Sequence, residues 1–122
     1  MMLIVINAAR LDDIPGIHSL AKLALGTQGT LADVEREFEA DNVVMGVAHT
    51  ENGRVCAYIN GWWAIDELEL TEIAVHPNVR RCGYGRTLVR WLMECVVARG
   101  GQAIHLEVRS SNDGARALYR SM

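Results

Sequence analysis

The chain has 122 residues, half of them apolar, which fits one compact domain burying about two-thirds of its unfolded surface and leaves no length for a second. Cys56, Cys82 and Cys95 stand far apart with no Cys-x-x-Cys spacing. That argues against a disulfide scaffold and a zinc site and makes reduced thiols in a cytoplasmic protein the simple expectation.

Net charge is -3, but residues 1–79 carry 4 basic and 12 acidic groups, a net of -8, while residues 80–122 carry 8 and 3, a net of +5. A basic second half suits an anionic ligand. An acidic first half attracts a cationic partner such as an amine, with ordinary solvated charge as the competing reading. The opening MMLIVINAAR has a short apolar run and no basic segment before it, so neither a signal peptide nor a membrane span is expected there.

In chain order, Leu3 to Ala9 reads as a buried strand. Asp12 or Asp13 can cap a helix with Pro15 in its first turn and Ile14, Ile17, Leu20, Ala21 and Ala24 on one face. A second helix is predicted from Thr30, with Asp33 as capping-box acid, to about Ala40. Val43 to Thr50 and Val55 to Trp63 flank an Asn52-Gly53 turn and read as a hairpin. Trp62 and Trp63 then face opposite sides of the sheet, one in the core and one free to line an acceptor pocket.

Leu68 to Val75 is the next strand, Gly85 to Arg99 a helix stopped by Gly100-Gly101, and Ala103 to Val108 a further strand, with Asn112 capping a last helix. This order is mixed α/β with a mixed sheet. The strand-helix-strand crossover from Leu68 to Val108 makes those two strands parallel, and ligands in such sheets bind at the carboxyl end of the first.

At that end stands LTEIAVHPNVRRCGYGR, residues 70–86. The free amides of a helix start, reached past side-chain-free glycine and favoured by the helix dipole, make a diphosphate site, with Arg80, Arg81 and Arg86 as countercharge. A Walker loop is excluded because the only lysine is Lys22. A Rossmann fingerprint counted from Gly83 requires glycine where Leu88 stands. The arginines follow one loop and its helix rather than an aromatic-interleaved patch, so no nucleic-acid partner is expected.

The Arg80-Arg81-Cys82-Gly83-Tyr84-Gly85 run resembles the acyl-CoA pyrophosphate loop of the GNAT acetyltransferases. DELELTEIAVHP at 66–77 and LEVRSSNDGARALY at 106–119 are similar to bacterial ribosomal-protein alanine N-acetyltransferases. The resemblance covers the second half well and the first half in element order. It implies a single acyl-CoA N-acyltransferase domain over residues 1–122, with acetyl-CoA as co-substrate. It also implies that Ile73, Ala74 and Val75 offer backbone groups to the pantetheine arm, that residues 81–86 cradle the pyrophosphate, and that Asn112 touches the arm.

Direct transfer to an amine requires a neutral amine, oxyanion stabilisation and a proton for the departing thiolate. A backbone N–H near Ala74 or Val75 suits the oxyanion. The resemblance implies Glu107 as base, through a water, and Tyr119 as acid. Glu69 and Glu72 compete for the base role; strict alternation puts them on opposite faces, so at most one faces the substrate cleft. Tyr119 beside Leu118 also reads as an ordinary core residue.

The resemblance implies an amine acceptor, the N-terminal α-amine of a protein such as a ribosomal protein. A small-amine acetyltransferase and a non-catalytic acyl-CoA-binding module are the alternatives. Family members continue past the position of Met122 with a closing strand pair, so the fold is expected to be C-terminally truncated, or to complete its sheet as a homodimer.

Overall fold

The computed structural model describes residues 4–26 and 29–106. They form a five-stranded sheet in the order β1-β2-β3-β4-β5 between two helical layers. The strands are β1 (Asn7–Ala8), β2 (Val43–His49), β3 (Val55–Ala64), β4 (Glu67–Val75) and β5 (Ala103–Leu106); the helices are α1 (Ile14–Leu25), α2 (Leu31–Glu39) and α3 (Tyr84–Ala98). β1 through β4 pair antiparallel, and β4 pairs parallel with β5 from Glu67↔Ala103 to Leu70↔Leu106, as the crossover requires.

Local chemistry accounts for most boundaries. Thr30 accepts a hydrogen bond from the Asp33 amide, and the Asp33 carboxylate accepts one from the Thr30 amide, so the predicted capping box starts α2. Gly53 takes φ 81° in the β2–β3 turn. Gly100, at φ 70°, closes α3 as its amide reaches the Val97 carbonyl at 3.0 Å.

One sheet face carries α3, whose Tyr84, Leu88, Leu92 and Val96 recur every fourth residue and pack on Ile59, Trp63, Leu68 and Leu70. The other face carries α1, with Ile14, Ile17, Leu20 and Ala21 against Val47, Tyr58 and Ala74. α2 adds the half-buried Val34 and Phe38. Trp63 lies in the α3-side core and Trp62, 41% exposed, on the opposite face, which matches the expected split.

The first strand is shorter than expected: only Asn7 and Ala8 pair, with Val47 and Gly46. The β2–β3 register shifts between Ala48 and His49, with Cys56 as the extra residue of β3, beside the point where the ladder would continue to Ile6 and Val5. Asp13 sits at the start of α1 but does not cap it. Its carboxylate accepts from the Arg10 amide at 2.8 Å and meets His49 Nε2 at 2.6 Å, closing the 3-10 turn Leu11–Asp13 instead. α3 begins at Tyr84, one residue earlier than expected, because the left-handed Gly83 ends the loop immediately before it. The continuation of β5 to Val108 and the Asn112 helix fall outside the described residues. No described helix is long and apolar enough to cross a membrane.

Candidate active site

The loop from β4 to α3 is built by short-range bonds. His76 Nδ1 accepts from the Asn78 amide at 3.1 Å, and Pro77–Val79 forms a 3-10 turn. Arg80 Nε donates to the Val75 carbonyl at 3.3 Å, tying the loop to the strand end. Arg81, at φ 64°, and Gly83, at φ 91° and ψ 4°, are left-handed, and helical geometry begins directly after Gly83. Such changes of hand turn successive amides to one side and form an anion-binding concavity.

The Gly83 carbonyl accepts from the Thr87 amide at 3.1 Å and from its hydroxyl at 2.9 Å. Thr87 is therefore where regular helical bonding takes over. Among the described residues, no main-chain amide from Arg81 to Gly85 donates to another backbone group. These are the groups expected to hold a diphosphate, and the helix dipole adds to their attraction.

Tyr84 contributes only its main chain there. Its ring is 7% exposed, packed in the α3-side core, and burial pushes its phenol above the usual range. Cys82 is exposed, and its thiol lies 3.6 Å from the Arg80 carbonyl. Arg86 stands in the first turn of α3.

Ile73, Ala74 and Val75 form the carboxyl end of β4, pairing with Ile59, Tyr58 and Ala57 along one edge. Their other edge is turned toward the β5 side of the sheet, so strand end and helix start are adjacent, as expected. Glu107, Asn112 and Tyr119 lie outside the described residues.

Alternation fails in β4, and this changes one expectation. Asn60 pairs with Glu72 but Gly61 pairs with Leu70, leaving Thr71 as the extra residue of a bulge. Leu68, Leu70, Ile73 and Val75 therefore all face α3. Glu69, opposite Trp62, and Glu72, opposite Asn60, share the α2 face rather than taking opposite ones.

On that face a cavity of about 110 Å³ opens between α1, α2 and the sheet, lined by residues including His18, Glu37, Tyr58, Asn60 and Glu72. Tyr58 donates its phenolic proton to Glu72 Oε2 at 2.7 Å. Burial first, then the Glu72 charge, raises the Tyr58 phenol far above its usual range, so it stays protonated. Sequence reasoning missed Glu37, Tyr58 and Asn60. The signal available was a lone Asn inside the apolar run VCAYINGWWA.

Burial, then Glu72, then Asp33 hold the Glu37 carboxyl above its usual range. Folding thus takes up protons at Glu37 above the ordinary value of 4.5, and stability falls as pH rises through its raised value. Glu37→Gln is expected to stabilise the unliganded protein at neutral pH by about 0.5 kcal/mol, a small figure because solvent screens a half-exposed carboxylate. The gain should vanish below about pH 4, where both states are protonated. Thermal melts at the two pH values check this, and an equal gain at both would contradict it.

A parallel crossover whose helix-start amides donate to no other backbone group among the described residues, with a cleft on the opposite face of the same bulged strand, defines an α/β domain shaped for a long phosphorylated ligand. The profile of the Acetyltransferase (GNAT) family matches residues 15–122, and the chain belongs to that family. The [Ribosomal protein bS18]-alanine N-acetyltransferase of Escherichia coli (strain K12) is 41% identical over 73 residues, 60% of this chain and 49% of that protein. The chain thus spans about half the length of that curated relative.

The crystal structure of a ribosomal-protein alanine N-acetyltransferase from Escherichia coli superposes with a TM-score of 0.85 at 28% identity, covering 98% of this chain and 76% of the other. AAC(6')-Iy, solved with the bisubstrate analogue CoA-S-monomethyl-acetylneamine, gives a TM-score of 0.84 at 15% identity, covering 98% and 89%; that likeness is of fold alone.

Proposed function

We propose that the protein is an N-acetyltransferase that moves an acetyl group from acetyl-CoA to the N-terminal α-amine of a protein, by direct attack in a ternary complex. The carrying observation is the row of amides from Arg81 to Gly85, past the carboxyl end of β4, that donate to no backbone group among the described residues, in a chain of the GNAT family. The identity to a ribosomal-protein alanine acetyltransferase supports a ribosomal-protein N-terminus as acceptor.

In this reading the loop amides and Arg80, Arg81 and Arg86 hold the pyrophosphate, Ile73 to Val75 align the pantetheine arm, and Asn112 adds a contact to it. A backbone N–H near Ala74 or Val75 donates to the developing oxyanion. Glu107 takes the amine proton through a water as the new C–N bond forms. Tyr119 gives its proton to the thiolate as the C–S bond breaks.

A second base has an observation in its favour, since Glu72 lines the acceptor-side cavity with its carboxylate fixed by Tyr58. The pH-rate profile separates the two. Glu107→Gln is expected to abolish the rising acidic limb, whereas loss of that limb only in Glu72→Gln transfers the role.

The test of the whole reading is acetyl-CoA titration calorimetry alongside free-thiol release on N-terminal peptides and small amines. Peptide-dependent release supports it. Release only with small amines points to a small-molecule enzyme, and binding without release to a non-catalytic acyl-CoA module.

A further inference from the structure

The acceptor-side cavity has a marked chemical bias. Glu37 and Glu72 both line it, and neither carboxylate has a cationic partner among the described residues. Asp33, also in the lining, is already paired with Arg36 and with the Thr30 amide. The mutual repulsion of these carboxylates is what helps raise the Glu37 carboxyl.

Asn60 supplies an independent observation. It is 2% exposed, it lines the same cavity, and among the described residues its side-chain oxygen has no hydrogen-bond donor. Buried polar atoms in folded proteins nearly always have a partner, so this acceptor in the cavity wall is a place for a donor that a ligand brings.

Glu37 also borders a second hollow of about 240 Å³, lined by Val43, Gly61, Trp62 and Thr71. Trp62, 41% exposed, is two residues along β3 from Asn60 and on the same face. That spacing is about 7 Å, the reach of two residues of extended peptide. A carboxylate, an amide oxygen and an open indole face, grouped at this distance, match the donor-only, positively charged head of a Lys or Arg side chain.

Resting on the acetyl-transfer reading, we infer that the groove floored by Asn60, Glu72 and Trp62 and walled by Glu37 binds an ammonium or guanidinium group of a side chain near the acceptor's N-terminus. Glu37 and Trp62 are specificity-determining here rather than catalytic. The inference selects among acceptors: a neutral N-terminal segment fits the groove but leaves the Asn60 oxygen and both carboxylates unanswered.

Titration calorimetry of the acetyl-CoA-saturated chain, at near-physiological salt, tests this with two peptides that begin with Ala and differ only in Lys or norleucine at the second position. The Lys peptide is expected to bind roughly 10- to 30-fold more tightly. Glu37→Gln, a change on a partly exposed helix surface, should bring the two affinities within about twofold. Trp62→Leu should reduce the preference in part. Equal affinities in the unmodified chain overturn the inference. So does a preference that Glu37→Gln leaves intact, because attraction by the acidic half as a whole would then explain it. The readout is binding, so absence of thiol release with the Lys preference kept sinks acetyl transfer and leaves the cation groove standing. Brisk release with equal affinities does the reverse.

Discussion

Tyr119→Phe is expected to lower the acetyl-transfer rate by roughly two to four orders of magnitude while leaving acetyl-CoA affinity within about twofold. The expulsion of a thiolate is the step that most requires a proton donor, and the substitution removes one hydroxyl while keeping the aromatic ring. The chain offers three tyrosines for the task, and two are committed elsewhere. Tyr84 is buried between α3 and the sheet beside Cys56, and the Tyr58 hydroxyl is engaged as a hydrogen-bond donor to Glu72 on the α2 face. Tyr58, raised by burial and by Glu72, is also a poor acid. Tyr58→Phe is therefore the control, with an effect of about tenfold or less through a misplaced Glu72. Steady-state rates and acetyl-CoA titrations on both variants decide it: a larger loss in Tyr58→Phe would move the acid role off Tyr119.

The sequence made visible what depends on neighbours a few residues apart. The Thr30-x-x-Asp33 box, the Asn52-Gly53 turn and the Gly100-Gly101 stop each act within one turn of chain, and all three stand where local chemistry puts them. The parallel β4–β5 pair followed from a single connection rule.

The acceptor face was hidden because one extra residue in β4 breaks the period of two on which face assignments rest. Even so, the apolar positions Leu68, Leu70, Ile73 and Val75 carry the trace, since the step from Leu70 to Ile73 is three residues rather than two. Read that way, Glu69 and Glu72 fall together. Nothing local brings Glu37 to the same cavity as Asn60, because their meeting there depends on how α2 settles across the sheet. The shortness of β1 likewise goes with a bulge farther into the sheet, at Cys56 of β3, which its own residues cannot report.

The anion loop offers the other large effect. Gly83 holds φ 91°, and a Cβ built there meets only Ile4 Cδ1 at 3.7 Å, an ordinary contact. A substitution at Gly83 is thus opposed by backbone strain and not by space. A β-branched residue in the left-handed region is a strong outlier, so Gly83→Val is expected to cost about 2–3 kcal/mol, with Gly83→Ala nearer 1.

How that cost divides tells what the loop does. If the valine loop keeps its shape, the whole penalty appears as lost stability, and acetyl-CoA affinity is unchanged. If it relaxes, stability is largely spared, but the amides of Cys82 to Gly85 turn from the phosphates, and binding weakens by roughly 30- to 150-fold as the ligand forces the strained shape back. The second outcome is expected, because Arg80 to Gly83 are exposed and, among the described residues, no backbone bond of the Arg81–Gly85 amides holds the strained form. Thermal melts with and without acetyl-CoA, read beside the titration, measure both parts. Unchanged melting together with unchanged affinity would mean that the left-handed Gly83 does not shape the phosphate site.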